Sequence, residues 1–372
     1  MKPLQLVRWL CLSLFLPWNA IAACQYGGGP VNPVSLGIRA HYGFIIPHSQ
    51  AIAGISESNP WGIEADLAWH LTRERIWKHC YCYPRTGFSL DYFNFGFPGV
   101  LGHSVALYPY IEPYIRPRKR VSVSFRFGIG PAWLTTIYDP DTNPDNFFFG
   151  SHLSFVAVLN AALNVRLTGR VSARAAFNYN HISNGGLEQP NVGMNFPTVN
   201  AGFDYSFTDV SFPAREKDTA LVLYPDDSWW DLYILGTGKN NDIDIEKHYP
   251  VIGAGITYNR LLGRMLAFNA GTEWVSDFAL KEKLERDFVH DPRPPPDHNR
   301  AALLVGLELL FGRFSFLHQW GIYYYAPYPA RHLVYQRYGL NLRFTDRLYL
   351  GINIKSHAQV ADLLDARLGI RF

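Results

Sequence analysis

His181 and Ser183 are the two side chains of this sequence whose types and spacing could carry out hydrolysis. A histidine can accept the proton of a serine hydroxyl, and the serine oxygen can then attack an ester carbonyl. Residues i and i+2 of a strand lie on one face, so a strand over 171–183 would bring the two side chains together. A lone His-x-Ser match also occurs where a strand simply ends in polar residues, so its surroundings matter.

The strand that carries this pair has one apolar and one polar row of side chains. The apolar row is Val171, Ala173, Ala175, Phe177 and Tyr179, and the polar row includes Ser172, Arg174, Asn178 and Asn180. His181 and Ser183 extend the apolar row just beyond its aromatic pair. Polar residues on a lipid-facing row are costly except at the membrane interface. We therefore expect the pair at the membrane's outer edge, where the available ester bonds belong to lipids.

The residues around the pair carry a family resemblance. His181-x-Ser183-Asn184, followed by Pro190-Asn191-x-Gly193, resembles the active-site segment of the lipid A 3-O-deacylase (PagL-like) and acyloxyacyl hydrolase family. The resemblance is clear over 181–195 and extends more loosely, as a barrel pattern, over 34–210. Members of this family are outer-membrane barrels that remove an ester-linked acyl chain from lipopolysaccharide.

The resemblance implies roles for individual residues. Ser183 would be the nucleophile, His181 the general base, and Asn184 a candidate for the oxyanion hole, whose donors stabilise the tetrahedral intermediate. The family's acidic third residue falls where this sequence has Asn195. An amide can orient an imidazole through its carbonyl, but it does not stabilise imidazolium as a carboxylate would.

Two residues are candidates for orienting His181. Glu188 follows Gly185 and Gly186, which can turn the chain tightly. Asn195 has the family's own spacing and precedes the next predicted strand, 198–209. Neighbouring strands lie about 4.8 Å apart, so a residue entering that strand can reach His181. We therefore favour Asn195, with Glu188 as the alternative.

Alternation of apolar and polar residues recurs along most of the chain and predicts about sixteen strands. The segments are 34–47, 61–72, 87–96, 103–116, 121–137, 151–168, 171–183, 198–209, 229–238, 249–261, 264–277, 300–312, 314–326, 333–344, 347–357 and 361–372. A soluble β-sandwich would alternate too, but many of these polar faces carry charges that a dry sandwich core could not satisfy. We predict an all-β fold, a transmembrane antiparallel barrel of about sixteen strands, with twelve or fourteen as alternatives.

The connections between these segments support a membrane barrel. Numbered from a periplasmic N-terminus, the short turns, such as 169–170 and 262–263, fall on the periplasmic side. The long connections 138–150, 184–197 and 278–299 fall outside, as in bacterial barrels. Connection 73–86 breaks the rule, and the charged, proline-rich segment 281–300 is predicted to be a mobile outer loop.

The N-terminus predicts export. Lys2 and Arg8 precede a short apolar run that ends in the small residues Ala20 to Ala23, as in a signal peptide over 1–23. A lipidated Cys24 is an alternative. The predicted organisation is therefore a signal peptide, then an outer-membrane barrel over 24–372, with a deacylase-like part at 34–210 and additional barrel strands at 211–372.

Composition narrows the partners. Aromatic residues make up 15% of the 372 residues and charged residues only 17%, so this surface is not built for water alone. A formal net charge of +3 does not favour nucleic acid. Two loop clusters are weak metal candidates, for which solvated loops are the favoured interpretation. They are Asp139, Asp141, Asn143, Asp145 and Asn146, and His290, Asp291, Asp297 and His298. No cofactor or metal is predicted.

Taken together, these features predict an enzyme of the bacterial outer membrane. It would remove an ester-linked fatty acyl chain from lipid A of lipopolysaccharide in the outer leaflet by a Ser/His mechanism. The alternatives are a non-catalytic barrel, acting as a pore or structural protein, and an outer-membrane phospholipase.

Overall fold

The computed structural model describes residues 32–217, 227–240, 247–358 and 360–372. Within them the chain consists almost entirely of antiparallel strands. The predicted signal peptide, 1–23, and Cys24 lie outside the described residues. No helix in the described ranges is both long enough and apolar enough to cross a membrane.

The first half of the chain forms a closed barrel of eight strands, with a two-residue strand beside it. The strands are β1 (Val34–Gly43), β2 (Trp61–His70), β3 (Arg85–Asn94), β4 (His103–Glu112), β5 (Tyr114–Ile115), β6 (Val121–Leu134), β7 (Leu153–Arg166), β8 (Val171–Ser183) and β9 (Met194–Ser206). β1 pairs with β9, from Ser35 opposite Ser206 to Gly43 opposite Thr198, and β4 pairs with β6 past the short β5. These pairings close the first barrel.

The second half forms another closed barrel of eight strands. They are β10 (Ser228–Lys239), β11 (Tyr249–Leu261), β12 (Leu266–Asp277), β13 (Asn299–Phe311), β14 (Phe314–Tyr325), β15 (Val334–Arg343), β16 (Leu348–His357) and β17 (Val360–Arg371). β10 pairs with β17, from Asp231 opposite Arg371 to Gly236 opposite Ala366.

The predicted fold class and the count of about sixteen strands are confirmed. The strands close as two barrels of eight, however, so residues 211–372 do not add strands to the first barrel as expected. Both edges of β9 are occupied, by β8 and β1, which leaves no free edge for β10. Alternation in the sequence shows which face a side chain takes, but not which strand edge pairs with which.

Each barrel has an apolar outer surface and a charged interior. In β1, for example, Ile38 is 62% exposed whereas its neighbour Arg39 is 1% exposed and points inward. An interior of eight strands is just wide enough for side chains to fill. In the first barrel Arg39 contacts Glu64 at 2.6 Å, and Arg126 contacts Glu112 at 3.1 Å. Arg, Asp and Glu therefore neutralise one another inside the barrel.

The second barrel repeats this arrangement with different residues. Arg337 contacts Asp365 at 2.6 Å and Glu273 at 2.9 Å, and all three side chains are buried. Tyr335 donates a hydrogen bond to Glu273 at 2.6 Å. Buried charges are tolerated only when paired in this way.

The described residues include two α-helices, both in connections between strands. Helix α1 (Glu74–Cys80) occupies the long connection 73–86, and a disulfide joins Cys80 to Cys82. Helix α2 (Phe278–Asp287) begins where the Asp277 side chain accepts a hydrogen bond from the Leu280 N–H at 2.9 Å. The expectation of a loop over 281–300 is thus wrong for its first part, because Asp277 caps a helix there.

The two barrels touch each other at several points. The rings of Phe127 in β6 and Phe316 in β14 lie 4.7 Å apart. In α1, the His79 ring nitrogen Nε2 lies 2.9 Å from the carbonyl oxygen of Leu310. The outward faces of β6 and β14 are therefore partly shielded from lipid by each other.

Candidate active site

The candidate site lies at the end of β8, where the strand leaves the barrel wall. His181 is opposite Asn195 of β9 on one side and Ala157 of β7 on the other. Phe177, on the same outward row, is 55% exposed, whereas Ser183 is only 3% exposed. The outward row predicted from the sequence thus leads along the barrel surface directly to His181 and Ser183.

Hydrogen bonds fix the imidazole of His181 between two polar side chains. Its Nδ1 lies 2.7 Å from Asn195 Oδ1, and its Nε2 lies 3.0 Å from Ser183 Oγ. An amide oxygen can only accept a hydrogen bond, so Nδ1 must carry the ring proton. The lone pair of Nε2 then faces the serine hydroxyl, which is the arrangement needed to remove its proton.

Asn195 is itself held in place. The Tyr179 hydroxyl donates to Asn195 Oδ1 at 2.9 Å, and Asn195 Nδ2 lies 3.4 Å from His48 Nδ1. The Nε2 of His48 in turn lies 3.1 Å from the Val192 carbonyl oxygen. Tyr179 could have been recognised from its place two residues before His181. His48 gives no such signal, because it follows a strand far away in the sequence.

Asn184, the predicted oxyanion-hole candidate, shapes the loop instead. Its Oδ1 accepts hydrogen bonds from the N–H groups of Gly186 and Leu187, at 2.9 and 3.1 Å. Its Nδ2 donates to Ser151 Oγ and to the Glu188 carbonyl, at 3.2 and 2.9 Å. The Asn184 side chain is therefore fully engaged within the protein.

Asn191 offers a donor that the sequence analysis did not single out. Its Oδ1 accepts a hydrogen bond from the Asn184 N–H at 3.0 Å. Its Nδ2 is buried and has no hydrogen-bond partner within the described residues. A buried N–H group without a partner is costly, so Asn191 Nδ2 is a candidate donor to an acceptor atom of the substrate.

Gly193 lets the backbone approach the His–Ser pair closely. A Cβ at this position would lie 3.1 Å from His181 Cε1 and 3.1 Å from Ser183 Cβ. The residue also has a φ of +73°, in the left-handed region that favours glycine.

Glu188, the alternative orienting residue, points away from His181 and toward the second barrel. Its Oε1 lies 3.0 Å from Nε2 of His248. The structure therefore brings together His181, Ser183 and Asn195, and places Glu188 in a different contact.

Three of the weak metal candidates, Asp139, Asn143 and Asn146, make hydrogen bonds within the protein. Asn143 and Asn146 donate side-chain hydrogen bonds to the Val100 carbonyl, at 3.0 and 2.8 Å. The Thr142 backbone N–H donates to Asp139 and holds the pKa of that carboxyl below its usual value. Across the part of the chain that the structure describes, no group of three or more His, Cys, Asp or Glu side chains could hold a metal ion.

Two family models match the chain. The lipid A 3-O-deacylase (PagL) model matches residues 61–204, from the start of β2 into β9. The model of the acyloxyacyl hydrolase C-terminal domain matches residues 228–372, which begin at β10. The second match extends the family resemblance beyond residue 210, where the sequence analysis had ended it. No curated protein matches the chain.

Several solved structures are similar to the chain. The crystal structure of the outer membrane enzyme PagL is 19% identical, with a TM-score of 0.34, over 45% of this chain and 98% of that one. A mutant of the Rh. blastica porin is 10% identical, with a TM-score of 0.22, over 91% of this chain and 99% of the porin. The siderophore receptor PirA from Acinetobacter baumannii is 8% identical, with a TM-score of 0.23, over 88% and 68%. Structural similarities with TM-scores this low support no conclusion about function.

The first match covers most of the first barrel, from β2 into β9, and the second match covers the second barrel. Neither match includes residues 205–227. The chain belongs to the lipid A 3-O-deacylase and acyloxyacyl hydrolase family, and it is an ester hydrolase of the bacterial outer membrane with a β-barrel fold.

Proposed function

We propose that this protein removes an ester-linked fatty acyl chain from lipid A, with Ser183 as nucleophile and His181 as general base. The observation that carries the proposal is the 3.0 Å contact between His181 Nε2 and Ser183 Oγ at the lipid-facing end of β8. A nucleophile in hydrogen-bond reach of its base is the arrangement that acyl transfer requires.

The reaction proceeds in two halves. Ser183 Oγ attacks the ester carbonyl while its proton moves to His181 Nε2, which gives a tetrahedral intermediate. That intermediate collapses as His181 returns the proton to the departing lipid A hydroxyl, leaving the acyl group on Ser183. Water, deprotonated by His181, then attacks the acyl-serine, and the fatty acid and free serine are released.

Asn195 serves as the orienting residue in place of the family's carboxylate. Its Oδ1 is 2.7 Å from His181 Nδ1 and is itself fixed by the Tyr179 hydroxyl. This contact favours the tautomer in which Nε2 is free to accept the Ser183 proton. An amide carries no full negative charge, so it does not stabilise the imidazolium as a carboxylate would.

Asn191 is a better candidate than Asn184 for stabilising the oxyanion. The Asn184 side chain makes four hydrogen bonds, three within the loop and one to Ser151, whereas Asn191 Nδ2 is a buried donor with no partner among the described residues. Donors already in place, where negative charge develops, contribute strongly to catalysis.

Lipid A is the preferred substrate because of where the pair lies. The row of Phe177 and Tyr179 leads along the outer surface of the barrel to His181, at the end of the strand that enters the long connection 184–193. In the orientation of bacterial barrels, long connections lie outside the cell, where the outer leaflet is lipopolysaccharide. The paired charges inside both barrels argue against the pore alternative.

Mass spectrometry of lipid A tests this proposal in cells that express the chain. Wild-type protein is expected to remove one acyl chain from lipid A. Ser183→Ala is expected to lower the rate of this deacylation at least about a thousand-fold. Ser356→Ala is the matched control, because Ser356 also precedes the outer end of a strand but lies in the second barrel. Unchanged lipid A with a folded wild-type barrel would contradict the substrate, and release of phospholipid acyl chains instead would favour the phospholipase.

A further inference from the structure

The active-site loop, Asn184–Gly193, is held on one side by the first barrel. The N–H of Val192 donates to the Phe147 carbonyl at 3.1 Å, and the N–H of Gly193 donates to the Phe148 carbonyl at 3.2 Å. Both acceptors belong to the outer connection between β6 and β7. These bonds fix the C-terminal part of the loop next to Ser183.

The other side of the loop packs against the second barrel. A Cβ at Gly185 would lie 2.5 Å from Leu364 Cβ, and a Cβ at Gly186 would lie 3.0 Å from the Asp362 carbonyl oxygen. Leu364 and Asp362 are in β17. Both glycines have positive φ, +70° and +85°, so the loop turns tightly where the barrels meet.

Two polar contacts join the same surfaces. Glu188 Oε1 lies 3.0 Å from His248 Nε2, and the Asn240 N–H donates to the Leu187 carbonyl at 3.3 Å. His248 precedes β11 and Asn240 follows β10. The loop is therefore contacted by the ends of three strands of the second barrel.

Ion pairs connect the strand ends of the second barrel that contact the loop, which we call the rim. Lys239 Nζ lies 3.1 Å from Asp277 Oδ2 and 3.1 Å from Asp362 Oδ1. The Lys239 side chain is only 9% exposed, so these ion pairs are shielded from solvent. They connect β10, β12 and β17 next to Asn240, so ion pairs hold together the surface that contacts the loop.

From these contacts we infer that the second barrel is a positioning element of the active site. Its rim holds Gly185–Glu188 so that Ser183 and Asn191, at the two ends of the turn, keep the geometry that the reaction needs. This inference rests on the proposed function and gives residues 228–372 a part in it. His248 and Leu364 act through the loop, and neither contacts the His181–Ser183 pair among the described contacts.

Loss of the contacts that hold the loop should lower kcat more than it weakens substrate binding. The reason is that displacement of the reacting groups lowers the rate of the chemical step. The Glu188–His248 pair is partly exposed, with 34% and 40% of the two side chains accessible. Exposed pairs contribute little, so Glu188→Ala or His248→Ala should lower kcat about two- to five-fold with KM unchanged. Leu364→Ala, which removes the side chain beneath Gly185, should lower kcat more.

The test measures kcat and KM of the full-length variants on purified lipid A in detergent. His248→Arg keeps a side-chain N–H donor opposite Glu188 and is expected to restore the kcat lost in His248→Ala, which a general loss of stability would not do. The Glu188→Ala/His248→Ala double variant should be no slower than either single variant, because both substitutions break the same contact. Arg293→Ala is the matched control, since it breaks the 2.7 Å ion pair with Asp291 in another outer connection of the second barrel.

The outcomes separate this inference from the proposed function. If wild-type protein is active but Glu188→Ala, His248→Ala and Leu364→Ala all keep its kcat and KM, the positioning role is overturned while the hydrolase remains. A rise in KM with kcat unchanged would assign these residues to substrate binding and would also overturn it. If Ser183→Ala is as active as wild type, the proposed mechanism fails, whatever the loop variants do.

Discussion

The two barrels are built alike but differ at their outer ends. Each has eight strands, an apolar outer surface and an interior of paired Arg, Asp and Glu side chains. In the first barrel, β8 ends with His181 and Ser183 two residues apart and in contact. In the second barrel, β16 ends with Ser356 and His357 adjacent in sequence, and His357 instead contacts the Tyr323 hydroxyl at 3.3 Å.

The spacing of the two residues along the strand explains this difference. Adjacent residues of a strand point to opposite faces, whereas residues two apart share one face. The same two residue types therefore form a nucleophile–base pair in one barrel and not in the other. Fold alone does not give the function, which depends on a few side chains at one strand end.

Replacement of Asn191 should give the largest effect among the remaining tests of this comparison. Buried amides whose Nδ2 has no partner among the described residues occur in both halves of the chain, at Asn191 in the first and at Asn269 and Asn353 in the second. If Asn191 stabilises the oxyanion, Asn191→Ala lowers kcat about 100- to 1000-fold. Asn353→Ala, measured by the same lipid A assay, should leave kcat unchanged, and equal effects of the two variants would contradict the assignment.

Glycine substitutions should give the next largest effect. Gly193 and Gly312 share a positive φ, +73° and +70°, but only Gly193 lies against His181 and Ser183. Gly193→Ala should lower kcat roughly 100-fold, because its Cβ pushes the reacting side chains out of position. Gly312→Ala meets no atom within 4 Å and should lower thermal stability without slowing hydrolysis. Normal turnover in Gly193→Ala would show that this close approach does not matter.

The orienting amide should give the smallest of the three effects. Asn195→Ala should lower kcat about ten-fold, because it frees the His181 ring to adopt the wrong tautomer or orientation. Asn195→Asp, which restores a carboxylate, should raise kcat above that of wild type. The control is Asn299→Ala in the second barrel, where the amide Oδ1 accepts a hydrogen bond from Ser276 at 2.5 Å.

One result would reassign the orienting role. If Asn195→Ala keeps full activity while Glu188→Ala is inactive, the loop carboxylate orients His181 in the working enzyme. The structure instead has Glu188 paired with His248, so Glu188→Ala is expected to show only the modest loss of the loop contact.

Which residues face outward was predictable from the sequence, because strand periodicity is a local property. The sixteen predicted segments all correspond to strands, and the 171–183 segment matches β8 at both ends. The start of β9 was placed too late, at 198, because polar Asn195 interrupts the apolar pattern although it pairs opposite His181. The proximity of His181 and Ser183 likewise followed from their spacing.

Closure into two barrels and the surroundings of the site were decided only by the tertiary structure. Strand order depends on hydrogen bonds between residues far apart in sequence, such as those joining β1 to β9 and β10 to β17. The same is true of His48 beside Asn195 and of His248 beside Glu188. Periodicity along one segment contains no information about a partner more than fifty residues away, so these contacts required the folded chain.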